Sequence, residues 1–155
     1  MDKHANQFEE LNVLVVGNNP IDLSRTFESL SKITDHKVIT EIAFDLTSIV
    51  ERLSHFKPTY ILIDDNVGQL ELKATVFALS SNRKTRHVPI TVLKNSNYQE
   101  AINTGVMNYI LKETITGDSL YRALKNSLKF KKTQLYLQQS YKKRKGQLLR
   151  ILKSN

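Results

Sequence analysis

Tyr60, Ile61, Leu62 and Ile63 are four apolar residues in a row, entered through Pro58 and closed by two carboxylates, Asp64 and Asp65. A continuous run this short, bounded by Pro58 and Gly68, reads as a strand buried on both faces. Such a strand needs helices on both sides of its sheet, so it restricts the fold to a few layered arrangements. In open α/β sheets the chemistry sits in the crevice at the carboxyl ends of the strands. Asp64 is therefore a site candidate.

The rest of the chain supplies matching parts. LNVLVV at 11–16, VPITVL at 88–93 and MNYIL at 107–111 are further short apolar runs, and KVITEIA at 37–43 has the Lys and Glu of an edge strand. Asn19 and Pro20 suit an N-cap and first helical position, and Leu23, Phe27 and Leu30 carry that helix to about Ile33. Leu46, Ile49, Val50 and Leu53 mark a second helix, stopped before Pro58, and Leu72, Val76 and Leu79 a third. Residues 81–87 are a polar loop, and Pro89 belongs near the start of its strand. Ser96 and Gln99 form a capping-box pattern for a short helix ending at Gly105. Thr116 caps a last helix, with Asp118 in its first turn and Leu120, Leu124 and Leu128 as its buried stripe. The order is (βα)5, and a single doubly wound parallel sheet satisfies it.

The formal net charge of +8 conceals two unlike parts. Residues 1–121 hold 12 Lys/Arg and 15 Asp/Glu, whereas residues 122–155 hold 11 Lys/Arg and no acid. The expected division is a polar, loosely held segment 1–9, a domain over 10–130 and a basic helical extension over 131–155. With no cysteine, disulfides and Cys-based metal sites are excluded. No apolar run approaches a membrane span and the polar start has no signal core, so a cytoplasmic protein is the expectation.

With strands and helices placed, the chain resembles the CheY-like receiver domain of two-component response regulators over roughly residues 10–130. Asp64 stands where receivers carry the phosphoryl-accepting Asp. Lys112 stands where they carry the lysine that pairs with the phosphoryl group, and Tyr109 matches the switch aromatic. The segment GVMNYILK at 105–112 is similar to the family's Gly-Ala-x-Asp-Tyr-Leu-x-Lys. The resemblance implies a flavodoxin-like sheet of order 2-1-3-4-5, phosphorelay signalling with a histidine kinase or output domain as partner, and a partner surface over about 97–128.

The departures from the family pattern shape the expected function. The acidic pair that ends the first strand in receivers is Gly17 and Asn18 here. The fourth-strand Ser/Thr is Lys94, the Pro after the lysine is Glu113, and the Pro four residues beyond the phosphoacceptor is Gly68. Mg²⁺ favours carboxylate oxygens, and phosphoryl transfer needs a cation to neutralise developing charge. Without the first-strand acids, Asp64 becomes the main anionic ligand and only a weak metal candidate, with Lys94 and Lys112 both placed to approach it. An ammonium group then fills the metal's place. The expectation is a pseudo-receiver that works by protein–protein contact, with no cofactor and no enzymatic activity. One alternative is an ordinary receiver phosphorylated on Asp64 with Mg²⁺; the plainer one is a structural Asp64–Lys112 ion pair. Asp65 reads as a solvated loop residue, with a second pocket carboxylate as the other reading. Tyr109 reads equally as switch aromatic or half-buried strand residue.

Other signals are weaker. The single glycine of 17–20, GNNP, is neither a P-loop nor a dinucleotide fingerprint. The four histidines lack metal-ligand spacing and no nucleophile motif is present. In the tail, Phe130, Gln134, Leu137, Tyr141, Arg144, Leu148 and Ile151 follow alternating steps of four and three. With Phe130, Leu137, Tyr141, Leu148 and Ile151 apolar, this is a short heptad seam and predicts a homodimer or a link to an output domain. The less favoured alternatives are a simply solvated, partly frayed terminal helix and a basic surface for nucleic acid or an anionic membrane.

Overall fold

A computed structural model describes residues 10–95, 106 and 108–153. The expected polar N-terminal segment, the expected helix from Ser96 to Gly105 and the first residue of the expected fifth strand, Met107, lie outside the described residues.

The elements alternate along the chain. Strand β1 (Leu11–Val16) is followed by α1 (Pro20–Ser31), β2 (Val38–Ala43), α2 (Leu46–Leu53) and β3 (Tyr60–Asp64). A 3₁₀ turn (Asp65–Val67) leads into α3 (Gln69–Ser81), then β4 (Ile90–Lys94) and β5 (Asn108–Leu111). A second 3₁₀ turn (Lys112–Thr114) precedes α4 (Gly117–Lys153). The five strands form one parallel sheet in the order β2-β1-β3-β4-β5, the flavodoxin-like arrangement. β2, with Lys37 just before it and Glu41 within it, is an edge strand as expected.

Local chemistry explains the boundaries. The Asn19 side chain accepts from Ile21 N–H and Asp22 N–H, and Pro20 occupies the first helical position of α1. Asp45 and Ser48 form a reciprocal capping box at α2, and Thr116 and Ser119 do the same at α4. β4 begins at Ile90 rather than Val88, because Val88 N–H is spent on the turn to Thr85 O and Pro89 has no N–H to give to the ladder. Gly68 opens α3 at φ +93°, a backbone closed to the proline that receivers carry there.

Period-two alternation divides the core between the two faces of the sheet. Leu14, Val16, Ile61, Ile63, Ile90 and Val92 pack under α2 and α3. Val13, Val15, Tyr60 and Leu62 pack under α1 and the first turns of α4, against Leu23, Leu30, Leu120 and Leu124. Every residue of β3 is buried, as the unbroken run requires. Fully burying each of its aliphatic side chains contributes about 1.5–3 kcal/mol. The parity matters for the site: Asp64 shares a face with Leu62, towards α1 and α4.

Candidate functional site

Three loops meet at the carboxyl ends of β1, β3 and β5. Asp64 ends β3 and is 2% exposed. Its Oδ1 accepts from Asn66 N–H at 2.8 Å, which caps the 3₁₀ turn, and from Lys112 Nζ at 2.5 Å. Lys112 follows β5 directly. Its ammonium also meets Asp22 Oδ2 at 3.2 Å and Asp65 Oδ1 at 3.3 Å. One cation is thus enclosed by three carboxylates.

A ring of polar contacts closes around this cluster. Asn66 Nδ2 donates to Asp22 Oδ2, and Asn95 Nδ2 donates to Asn66 Oδ1 at 2.6 Å. Asn95 N–H donates to Asp65 Oδ2 at 3.1 Å. Asp22, Asn66 and Asn95 are members that sequence reasoning passed over. Asp22 lies in the first turn of α1, where an acid is ordinarily explained by the helix dipole.

Burial pushes the Asp64 carboxyl above its ordinary value, and Asp22 adds repulsion; the hydrogen bonds from Lys112 and Asn66 oppose this without cancelling it. Burial pulls the Lys112 ammonium down, but Asp64, Asp22 and Asp65 together outweigh it and its net shift is upward. Lys112 therefore stays charged, and the cost of enclosure falls on Asp64.

Three expectations need correction. Lys94 does not share Asp64's side of the sheet. It follows the parity of Ile90 and Val92, towards α2 and α3, and its Nζ lies over the Tyr109 ring, 4.8 Å from the centroid. The ammonium on Asp64 is that of Lys112. Nor is Asp64 left as the main anion, since Asp22 re-enters the crevice from α1. Asp65 is turned inward on Lys112 rather than lying as a solvated loop residue. Tyr109 is half-buried against the α2/α3-side core. Gly17 is buried, and a Cβ there would lie 3.1 Å from Leu23 Cδ2 and 3.2 Å from Asp64 Cβ. Asn18 is exposed beside it.

No family model matches the sequence, and no curated protein sequence is similar to it. Solved structures are. The receiver domain of sensor histidine kinase PA1611 from Pseudomonas aeruginosa PAO1, with magnesium coordinated in its active-site cleft, superposes with a TM-score of 0.65. It shares 18% identity and covers 77% of this chain and 98% of its own. The chemotaxis response regulator CheY4 of Vibrio cholerae gives a TM-score of 0.61 at 17% identity, covering 76% of this chain and 98% of its own. The fold is that of a response-regulator receiver domain. A third match is a fusion carrying the trimeric coiled coil of yeast Spc42, with a TM-score of 0.64 at 20% identity. It covers 94% of this chain and 97% of its own, so the likeness extends into the long C-terminal helix.

The receiver fold implies Mg²⁺, which needs near-octahedral oxygens at ~2.0–2.1 Å. Asp22, Asp64 and Asp65 offer oxygens of the right kind. Their point of convergence is Lys112 Nζ, at ammonium distances of 2.5–3.3 Å. Among the described residues no group of three His, Cys, Asp or Glu is disposed to hold a metal ion. The residues in this arrangement do not fit the ion. Also among the described residues, no helix is long and apolar enough to cross a membrane.

Proposed function

We propose that this chain is a pseudo-receiver: a receiver-fold signalling domain that acts by protein–protein contact, without Mg²⁺-dependent phosphorylation and without enzymatic activity of its own. The carrying observation is the Lys112 ammonium enclosed by Asp64, Asp22 and Asp65. It supplies at the crevice the positive charge that a divalent ion would bring, and like charge opposes entry of such an ion. The partners are signalling proteins, a histidine kinase or an output domain. The long α4 serves a homodimer, a reading supported by its exposed heptad seam.

One observation favours a second reading, an ordinary receiver phosphorylated on Asp64: Asp22 returns to the crevice one of the carboxylates lost at Gly17 and Asn18. Incubation with acetyl phosphate and Mg²⁺, followed by intact-mass and peptide mapping, separates the two. The pseudo-receiver shows no added phosphoryl mass. A stable gain located on Asp64 establishes the second reading instead.

A further inference from the structure

α4 leaves the domain well before it ends. Leu120, Leu124 and Ser127 are buried, and Leu128 packs on the same core. Lys129, Lys132 and Thr133 lie in a groove with Leu11, at the start of β1. The helix has thus reached the edge of the sheet opposite Asp64. It then runs on to Lys153 as one unbroken helix. At ~1.5 Å per residue the projecting part is about 35 Å long.

The projecting part has an apolar stripe, with Tyr136, Leu149 and Leu152 also exposed beside it. Phe130, Leu137, Tyr141, Leu148 and Ile151 are each between 53% and 68% exposed. With Gln134 and Arg144 they repeat every 3.5 residues. Its positions have the period of a two-helix seam.

Charge placement then selects the orientation. The positions flanking the seam on one side are Thr133, Ser140 and Gln147, all uncharged; those on the other are Lys131, Gln138, Lys145 and Leu152. Lys132, Lys142, Lys143, Arg150 and Lys153 point away from the seam. In a parallel pair each flank meets the opposite flank of the other helix, so Ser140 faces Lys145 and Thr133 faces Gln138. No lysine meets a lysine. An antiparallel pair would set Lys131 of each copy beside Lys145 of the other. It would also direct Ile151 at Ser127, which is buried beneath its own domain.

We propose that α4 pairs with α4 of a second copy as a parallel, in-register, two-stranded coiled coil over 130–151. This rests on the homodimer reading above and adds its orientation. The two domains then stand side by side at the amino-terminal end of the coil, both Asp64 crevices facing away from it. Gln134 meets Gln134 within the seam, a polar layer of the kind that fixes register. Arg144 reaches past the seam to water, since a two-stranded coil leaves its edges open.

The chain contains no cysteine, so introduced thiols report cleanly. Phe130→Cys and Ile151→Cys are made singly in the full chain, and association is measured by light scattering before mild oxidation. The expected result is a dimer mass, with each variant cross-linking to itself. Leu137→Lys should weaken the dimer by about 100-fold, the loss of one buried apolar layer. Leu137 is exposed in the monomer, so far-UV circular dichroism of that variant should be unchanged. A dimer that cross-links only when the two cysteine variants are mixed overturns the orientation. A trimer mass overturns the two-stranded form. A monomer at every concentration overturns the homodimer reading itself, and one that sediments with phosphatidylserine vesicles assigns the face to an anionic surface.

Discussion

Lys112 Nζ stands 3.2 Å from Asp22 Oδ2, tying the residue after β5 to the first turn of α1. The contact makes Lys112 the common counter-ion of three carboxylates drawn from two segments, the start of α1 and the end of β3. Its removal would leave Asp64 buried and charged beside two like charges. Breaking an enclosed pair from one side costs ~3–5 kcal/mol. Lys112→Met is expected to lower stability by about that amount in urea unfolding near neutral pH. Much of the loss should return under acid, where Asp64, raised by burial, takes up its proton. A loss independent of pH would show that Lys112 acts by packing alone.

Asp64 itself carries a second prediction. Burial raises its folded value above the ordinary carboxylate value of 3.8. The folded state therefore holds a proton that the unfolded state has released, across the window from 3.8 up to the raised value. This contribution to stability is present below 3.8 and is lost as pH rises through the folded value. Asp64→Asn removes the dependence and keeps the shape. It should be at least as stable as the parent near neutral pH, and the difference between them should shrink as pH falls towards 4. A variant that loses stability at neutral pH would mean that the Lys112 pair outweighs burial.

How far the site was legible follows from strand parity. Asp64 and Lys112 could be read because each follows a short apolar run, and the ends of β3 and β5 open on one crevice. Asp22 could not, because a helix carries it and an acid in a first turn already has an ordinary explanation. Lys94 was misjudged because a strand end gives position but not face. Counting alternate residues back from Lys94 reaches Val92 and Ile90, on the side away from Asp64. The fold itself was legible because β1 is apolar but for Asn12 and β3 is apolar up to Asp64, and only a doubly covered sheet hides such strands.

The buried Tyr60 hydroxyl gives a third prediction. It bonds to Thr91 Oγ1 on β4 and to Ser127 on α4, pinning the helix to the sheet. Burial pushes the phenol up to about 12 from 10.0. Between those values the folded state keeps a proton that the unfolded state loses, so stability declines as pH rises through the window. Tyr60→Phe should cost about 1–3 kcal/mol near neutral pH, since two buried hydroxyls lose a partner. The same variant should lose less stability than the parent as pH rises from about 9 to about 11. Equal alkaline losses would place the titrating group elsewhere.

The last prediction sets two glycines of one helix against each other. A Cβ on Gly117 would lie 2.9 Å from Lys32 Cβ and 3.3 Å from Ser29 O, where α4 begins against the end of α1. A Cβ on Gly146 would meet nothing within 4 Å. Alanine improves on glycine in a helix interior by ~0.5–1 kcal/mol. Gly146→Ala should therefore strengthen the helix. Gly146 lies beyond the turns covered by the core, so the gain should appear as more helical signal in far-UV circular dichroism rather than as a higher global midpoint. Gly117 is the first helical residue, where propensity counts for little, and a backbone oxygen cannot give way as a flexible side chain can. Gly117→Ala should cost ~1–3 kcal/mol, the usual penalty of overpacking. Because only contacts change, the urea midpoint should fall with an unchanged slope. If both substitutions stabilised alike, α1 and α4 would have room between them, and the close approach at Gly117 would not be what seats the long helix on the domain.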